Sequence, residues 1–232
     1  MPFFHMTRSA LLLLADSRFP AGAYAHSGGL ESAVAAGRVH DTRSLHEFLN
    51  GRLHSAALVA ASFAAAACHC ENAATLGEID HEYDVRLLSP TLRTTSRRLG
   101  RQLMHTARAT WPVPRLGLLD ALADGPHQPV ALGVACAAAG IAAEDAALCA
   151  VQGTLRVPAD AAIKLLGLNP AEVSGVLAKL AQDADRTAAK ALTMARMAQL
   201  KNDFGMLPAL GSPLLDLTAE DHATWEVRLF AS

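Results

Sequence analysis

The sequence predicts an all-α protein, a single-domain helical bundle of roughly eight to ten helices. Hydrophobic residues make up 51% of the chain but aromatic residues only 5%, so the core must consist mainly of alanine, leucine and valine. Such a core suits helices packed at short distance, whereas sheets favour β-branched and aromatic side chains. Proline and glycine cluster between long alanine- and leucine-rich segments, as they do in connections between helices. At 232 residues the chain is near the upper limit for one core, which predicts one domain over residues 1–232.

Helix caps and helix breakers divide the first half of the chain. We predict helices over residues 8–15, 27–37, 41–70, 79–88 and 90–111. Pro20 and Gly22 cannot continue the first helix. Asp41 or Thr42 can cap the third, and Pro90 is a suitable first residue for the fifth.

The second half begins with a short helix between loops in residues 115–128, followed by helices over residues 129–140 and from residue 144 onward. Pro158 interrupts the apolar pattern of the latter and predicts a break or kink. Asn169 and Pro170 form a strong helix start, an N-cap followed by proline at the first helical position. They open the longest amphipathic segment. Glycines and prolines between residues 205 and 213 predict loops, followed by a short tail, residues 212–232, that we expect to bind a partner.

Composition also excludes several classes of protein. The formal net charge of −2 gives no overall attraction to nucleic acid or to an anionic membrane. The most apolar window, residues 56–68, is shorter than the roughly 20 residues that a membrane-spanning helix needs. The N-terminus lacks the pattern of a secretory signal, and the four cysteines lie in alanine-rich helical segments that indicate buried thiols. We therefore expect a cytoplasmic protein.

The run Cys68-His69-Cys70 is the strongest candidate for a metal site, because thiolate and imidazole suit zinc or nickel. On a helix, however, residues two apart point about 200° away from each other. No second Cys/His pair follows at ligand spacing, and the sequence has no phosphate-binding loop or nucleophile elbow. We predict no catalytic residue, no metal ligand and no cofactor.

A stripe of basic residues follows Pro90. Arg93, Arg97, Arg101, His105 and Arg108 fall within an arc of about 120° on a helix. Such a face is either solvated or binds an acidic partner or a nucleic-acid backbone. The second possibility favours an alternative function, a helical DNA-binding regulator.

The segment from Pro20 to Glu31 is the most distinctive in the chain. Ser27 can cap a helix that begins there, and Glu31 lies in its first turn, where a carboxylate is favoured. A tight, well-capped turn explains the glycines and Ser27 but not Tyr24 and His26 at the same corner. We therefore expect these polar side chains to contact a partner.

This segment resembles the UreF family of urease accessory proteins. The resemblance extends along nearly the whole chain and rests on these motifs: Leu14-Ala15-Asp16-Ser17, Pro20-x-Gly22, His26-Ser27-x-Gly29-Leu30-Glu31, Ser96-x-x-x-Gly100-Arg101, His127-x-Pro129-Val130, and the tail from His222 to Arg228-Leu229-Phe230. A Gly-Gln pair common in the family is missing after Arg156, and Ala223 and Ala231 stand where Glu and Arg are common. These departures indicate a divergent branch of actinobacterial type.

The resemblance implies an all-helical, dimeric and non-catalytic chaperone. It would bridge the accessory protein UreD (UreH) and the GTPase UreG so that nickel reaches apo-urease. The implied partner-binding residues are Tyr24, His26, Ser27, Glu31, Arg97, Arg101, His222, Trp225, Arg228, Leu229 and Phe230. A metal-dependent helical hydrolase is a further rival, which the many histidines would explain.

Overall fold

The computed structural model describes residues 8–16 and 18–230, which form ten α-helices and no strand. They are α1 (Arg8–Ala15), α2 (Leu30–Ala35), α3 (Thr42–Arg52), α4 (Leu58–His69), α5 (Ala73–Asp84), α6 (Pro90–Thr110), α7 (Gln128–Ala138), α8 (Ala143–Leu166), α9 (Pro170–Lys201) and α10 (Pro213–Ala223). Short 3-10 helices cover Ala23–Ala25, Pro114–Ala121 and Phe204–Met206. The predicted all-α class is confirmed.

Helices α3 and α4 form one continuous rod, because a π-helical turn, Leu53–Ala57, joins them. The Asp41 side chain accepts a hydrogen bond from the Ser44 amide, and the Ser44 hydroxyl accepts one from the Asp41 amide. This reciprocal capping box satisfies two amides at the helix start and confirms Asp41 as the cap. The π-helical turn has no counterpart in the sequence-based prediction.

Helix α4 is the centre of the core and packs against α7, α8 and α9. Its alanines from Ala64 to Ala67 are fully buried. The continuous rod Thr42–His69 has 28 residues and could span a membrane by length and composition, but 72% of its apolar window is buried inside the fold. Burial on all sides is typical of a core helix and explains its lack of an amphipathic pattern. At 28 residues the rod is longer than the apolar window, residues 56–68, from which the sequence analysis argued against a membrane span.

Small residues set the distance between the central helices. Gly133 of α7 lies so close to α4 that an added Cβ would overlap the carbonyl oxygen of Ala64. Gly100 of α6 lies equally close to the carbonyl oxygen of Pro126, before α7. Glycine is required at both contacts because any side chain would push the two backbones apart.

Of the predicted break or kink at Pro158, the break is wrong, since α8 runs uninterrupted from Ala143 to Leu166 with Pro158 inside it; a kink stays a prediction. A proline removes one backbone hydrogen bond from a helix. Helix α8 is held by packing on α4 and α9, and Pro158 itself is buried. Tertiary packing therefore outweighs the local penalty.

Several helix boundaries also differ from the prediction; α2, for example, covers Leu30–Ala35 and not residues 27–37. Helix α5 begins at Ala73, six residues before the predicted start at Ile79, because the side chain of Asn72 accepts a hydrogen bond from the Thr75 amide and caps the helix. The predicted tail forms α10, which packs on α6 and α2. The Glu220 carboxylate accepts hydrogen bonds from the Ser89 hydroxyl and the Thr91 amide at the start of α6.

Candidate functional site

The chain after α10 is held against α2 by one buried carboxylate. Glu31 in the first turn of α2 is only 8% exposed. Its oxygens accept hydrogen bonds from the amides of Leu229 and Phe230 at 2.8 and 3.1 Å, and one lies 2.9 Å from His222 Nε2. Three donors on one carboxylate make this junction the main polar link between the two ends of the described chain.

The loop before α2 aligns Glu31. The Ser27 hydroxyl accepts a hydrogen bond from the Glu31 amide at 3.3 Å, so Ser27 satisfies one free amide of the first turn as predicted. The helix itself begins later than predicted, at Leu30, with Gly29 at the N-cap position. Gly28 and Gly29 have φ values of 59° and 83°. Side chains rarely adopt this left-handed conformation, and a Cβ at Gly29 would also lie 3.1 Å from Leu215 of α10.

His26 and Tyr24, which precede this loop, have different environments. His26 is buried, and its Nε2 lies 3.0 Å from the guanidinium of Arg98. Because a guanidinium can only donate, His26 Nε2 is the acceptor. Tyr24 is 62% exposed, and the ammonium of Lys164 lies 3.6 Å from its ring centroid and 5.4 Å from that of Phe230. Lys164 was not singled out from the sequence, since nothing local in α8 links it to either ring.

Several of the residues that the sequence predicts to bind a partner are buried. Phe230 is a core residue with 6% exposure, and His222 is 2% exposed. His26, Ser27 and Glu31 are buried as well. Of these side chains, Ser27, Glu31 and His222 hold the junction through hydrogen bonds. They are core residues in this conformation, and their predicted contact with a partner stays a prediction.

Other residues of the C-terminal segment remain accessible. Leu229 is 75% exposed and Val227 is 88% exposed. Arg228 is exposed as well. Trp225 is half-buried, with its ring centroid 4.7 Å from that of His222 and its indole N–H donated to Asp221 at 3.1 Å. The segment therefore presents apolar groups outward while its backbone is fixed inward.

The predicted basic face on α6 is largely engaged within the chain. The Arg97 guanidinium bonds Asp80 at 3.0 Å, Asp84 at 2.8 Å and the carbonyl of Gly125 at 2.6 Å. Its side chain is only 18% exposed. Arg97 joins α5, α6 and the loop before α7, so it is a structural ion-pair residue and not a free cation.

Three neighbouring arginines of α6 are also bonded to acceptors within the chain. Arg101 donates to the carbonyl of Asp124 at 2.6 Å, Arg93 donates to that of Leu87 at 2.8 Å, and Arg108 pairs with Asp120 at 2.5 Å. Acceptors from the adjoining loops thus occupy these side chains. These arginines share one face of α6, but their bonds to the chain itself mean that this face is not a free phosphate-binding surface.

His127 completes the polar network under α6. It is fully buried, with Nε2 at 2.9 Å from Asp84 and Nδ1 at 3.0 Å from the Ser96 hydroxyl. Burial lowers the pKa of His127 despite the nearby Asp80 and Asp84 carboxylates. These distances fit a neutral ring that donates through Nε2 and accepts through Nδ1. Burial raises the pKa of Asp84, but hydrogen bonds from His127 and Arg97 outweigh it, so this pKa is lowered.

The cysteine pair ends α4 and does not form a cluster. Helix α4 stops at His69, and Cys70 is extended. The Cys68 thiol donates to the carbonyl of Ile141 and the Cys70 thiol to that of Asn72. Burial raises the pKa of Cys68 to about 11. Within the described residues no group of three or more His, Cys, Asp or Glu could hold a metal ion.

Comparison with known proteins by sequence identifies the family. The model of the UreF family matches residues 39–181. The chain is 40% identical over 225 residues to the urease accessory protein UreF of Mycolicibacterium vanbaalenii, covering 97% of this chain and 98% of the relative. It is 42% identical over 226 residues to UreF of Mycobacterium marinum, with 97% and 99% covered, and 39% identical over 228 residues to UreF of Mycobacterium tuberculosis H37Rv, with 98% and 100% covered. The predicted resemblance, including its actinobacterial character, is confirmed: the chain belongs to the UreF family of urease accessory proteins.

Proposed function

We propose that this protein is a non-catalytic chaperone that joins a UreD/UreH-type accessory protein to a UreG-type GTPase while nickel is inserted into apo-urease. Membership of the UreF family supports the general role, since the relatives are named for assisting urease. The proposal includes a cytoplasmic location and a homodimer. No cofactor is required for a protein that acts by assembling others.

The observation that carries the proposal is the fixed, outward-facing C-terminal segment. Glu31 holds its backbone, and Val227 and Leu229 are left largely exposed. Leu214 and Leu217 on the adjoining α10 are 54% and 71% exposed. Exposed apolar groups on a pre-ordered segment are typical of a protein-binding surface, because little entropy is lost when the partner docks. We assign the UreD/UreH-type partner to this surface.

A double variant tests this assignment. Val227→Asp with Leu229→Asp changes exposed side chains only and should leave the melting temperature unchanged. We expect it to lose co-purification with the UreD/UreH-type protein and to lose urease activation in a reconstituted system. Leu200→Asp on α9, where the leucine is 83% exposed, is the matched control and should keep both. Full complex formation by the double variant would remove the C-terminal segment from the interface.

Two further measurements address the non-catalytic role and the homodimer. The purified chain, free of its partner GTPase, should not hydrolyse GTP or urea above the rate of a buffer blank. Light scattering coupled to size exclusion should give twice the chain mass. Reproducible turnover would refute the chaperone assignment, and a monomer at micromolar concentration would refute the homodimer alone.

The rival DNA-binding function is not supported by a specific observation. It depends on a free arginine face on α6, and Arg97, Arg101 and Arg108 are bonded to acceptors in this chain. The net charge of −2 adds no general attraction to phosphate. We therefore do not propose it as a second function.

A further inference from the structure

A cavity of about 310 Å³ lies beneath α10. Its walls come from the loop before α2, the α3–α4 rod, the end of α5, and helices α6, α8 and α10. Many are apolar, including Leu92 and Leu99 of α6, Val157 of α8 and Leu215 of α10. Pockets that enclose small molecules have volumes of roughly 300–1,000 Å³ and largely apolar walls with a few polar groups. This cavity is at the small end of that range.

Arg52 is the unusual polar group in this cavity. The residue lines the cavity, yet its Nε is buried and has no hydrogen-bond partner within the described chain. The guanidinium carbon lies 5.9 Å from the ring centroid of Phe48, and among residues 8–16 and 18–230 no carboxylate pairs with it. Burial lowers the pKa of Arg52 to about 10, so it still carries a charge at neutral pH.

Arg86, which lines the same cavity, has a different environment. It bonds Glu82 and also the backbone carbonyls of Gly205, Leu207 and Pro208. Buried charges are normally satisfied in this way because leaving one unpaired is costly. Arg52 is half-buried, and its buried Nε lacks such an acceptor in the part of the chain that the structure describes.

Local backbone geometry supplies a second, independent observation. Arg52 is the last residue of α3, and the π-helical turn Leu53–Ala57 begins directly after it. Isolated π-helical turns in long helices are rare and occur frequently at functional sites. Here the turn begins directly after Arg52.

We propose that this cavity binds a small monocarboxylate with a short apolar tail, whose carboxylate pairs with the Arg52 guanidinium. A planar guanidinium matches a carboxylate through two parallel hydrogen bonds. The apolar walls suit an alkyl tail. Asp216 also lines the cavity and would repel a second negative charge, which favours a monoanion over a phosphate dianion.

Tyr83 offers a second donor to the same carboxylate. It lines the same cavity, and the nearby positive charge of Arg52 opposes the rise in its pKa. Burial raises its pKa to about 12, so the phenol keeps its proton. Its ring packs on Phe63 and His127, which leaves the hydroxyl as its polar end.

Calorimetric titration of the full chain tests the proposal with three probes: sodium hexanoate, 1-hexanol and sodium phosphate. We expect hexanoate to bind and to raise the melting temperature. The neutral 1-hexanol should bind at least about tenfold more weakly, since a hydrogen-bonded charge contributes that much affinity. Arg52→Met should weaken hexanoate binding by a similar factor, Arg52→Lys should weaken it less, and Arg43→Met at an exposed arginine should leave it unchanged.

A cavity-filling variant keeps the test valid if Arg52→Met does not fold. Gly153 lines the cavity in mid-helix, and a Cβ there meets no atom within 4 Å. Gly153→Leu should therefore fold and block hexanoate, whereas Gly175→Leu, the same change at an open helical glycine of α9, should not.

Four outcomes would overturn the proposal. They are no hexanoate binding by the unmodified chain, equal binding of hexanoate and 1-hexanol, undiminished binding by Arg52→Met, and undiminished binding by Gly153→Leu. Tight phosphate binding without hexanoate binding would show an inorganic-anion site and would equally refute a carboxylate with an apolar tail. Each readout is independent of urease activation, so failure of the chaperone role would be a separate result.

Discussion

Removing the Glu31 carboxylate should release the C-terminal segment from α2. In Glu31→Ala the amides of Leu229 and Phe230 and the ring of His222 all lose their acceptor. Hydrogen bonds to a charged group contribute about 1.5–3 kcal/mol each to stability, and a buried donor left without a partner costs about 1–3 kcal/mol. Keeping the segment in place without its acceptor is therefore more costly than letting it detach.

Detachment limits the size of the effect. The main loss is the burial of Phe230, which is 6% exposed and whose transfer to water costs about 1.5–3 kcal/mol. The lost hydrogen bonds are replaced by water, and the freed residues regain conformational entropy. We expect the free energy of unfolding to fall by about 2–4 kcal/mol.

Urea denaturation measures this loss, and hydrogen exchange at the Leu229 and Phe230 amides locates it. Glu31→Gln retains one acceptor oxygen and should lose about half as much stability, roughly 1–2 kcal/mol. Glu47→Ala is the control, because Glu47 is 67% exposed and pairs only with Arg43; its loss should be about 0.5 kcal/mol or less. A loss below about 1 kcal/mol in Glu31→Ala, with both amides still protected, would refute this account of the junction.

Three more predictions concern the core. The pKa of His127 is lowered from 6.5, so as pH falls the unfolded chain takes up a proton before the folded chain does. The free energy of unfolding should therefore decrease below about pH 6.5. Denaturation at pH 7.5 and 5.5 measures this decrease, and a His127→Asn variant should lack it. Gly133→Ala should lower the melting temperature and reduce the free energy of unfolding by about 1–3 kcal/mol, because the added methyl group overlaps a carbonyl oxygen of α4. The control Gly175→Ala, at an open glycine of α9, should be neutral or stabilising. Equal melting curves for the two variants would disprove the close contact. A Cys68→Ser, Cys70→Ser variant should still support nickel-dependent urease activation at limiting nickel, with a modest loss of melting temperature. The Cys68 thiol, with a pKa of about 11, stays protonated and is a poor metal ligand. Activity that is lost at unchanged stability and regained with excess nickel would assign metal to these thiols.

Local signals determined most of the secondary structure. Asp41 and the pair Asn169-Pro170 start α3 and α9 as predicted, because an N-cap acts on amides only two or three residues away. The alanine-rich composition likewise indicated closely packed helices, and Gly133 shows how close the packing is. Family membership also followed from short motifs in order along the chain.

Tertiary structure decided which of the distinctive residues face outward. Glu31 meets His222 across 191 residues of sequence, and Arg97 finds its carboxylates on another helix, so neither pairing has a local signal. Pro158 stays helical because packing on two sides outweighs one lost hydrogen bond. Caps and periodicity depend on neighbours within one or two helical turns. Burial and ion pairing depend on contacts between distant segments, and these exist only once the helices have packed.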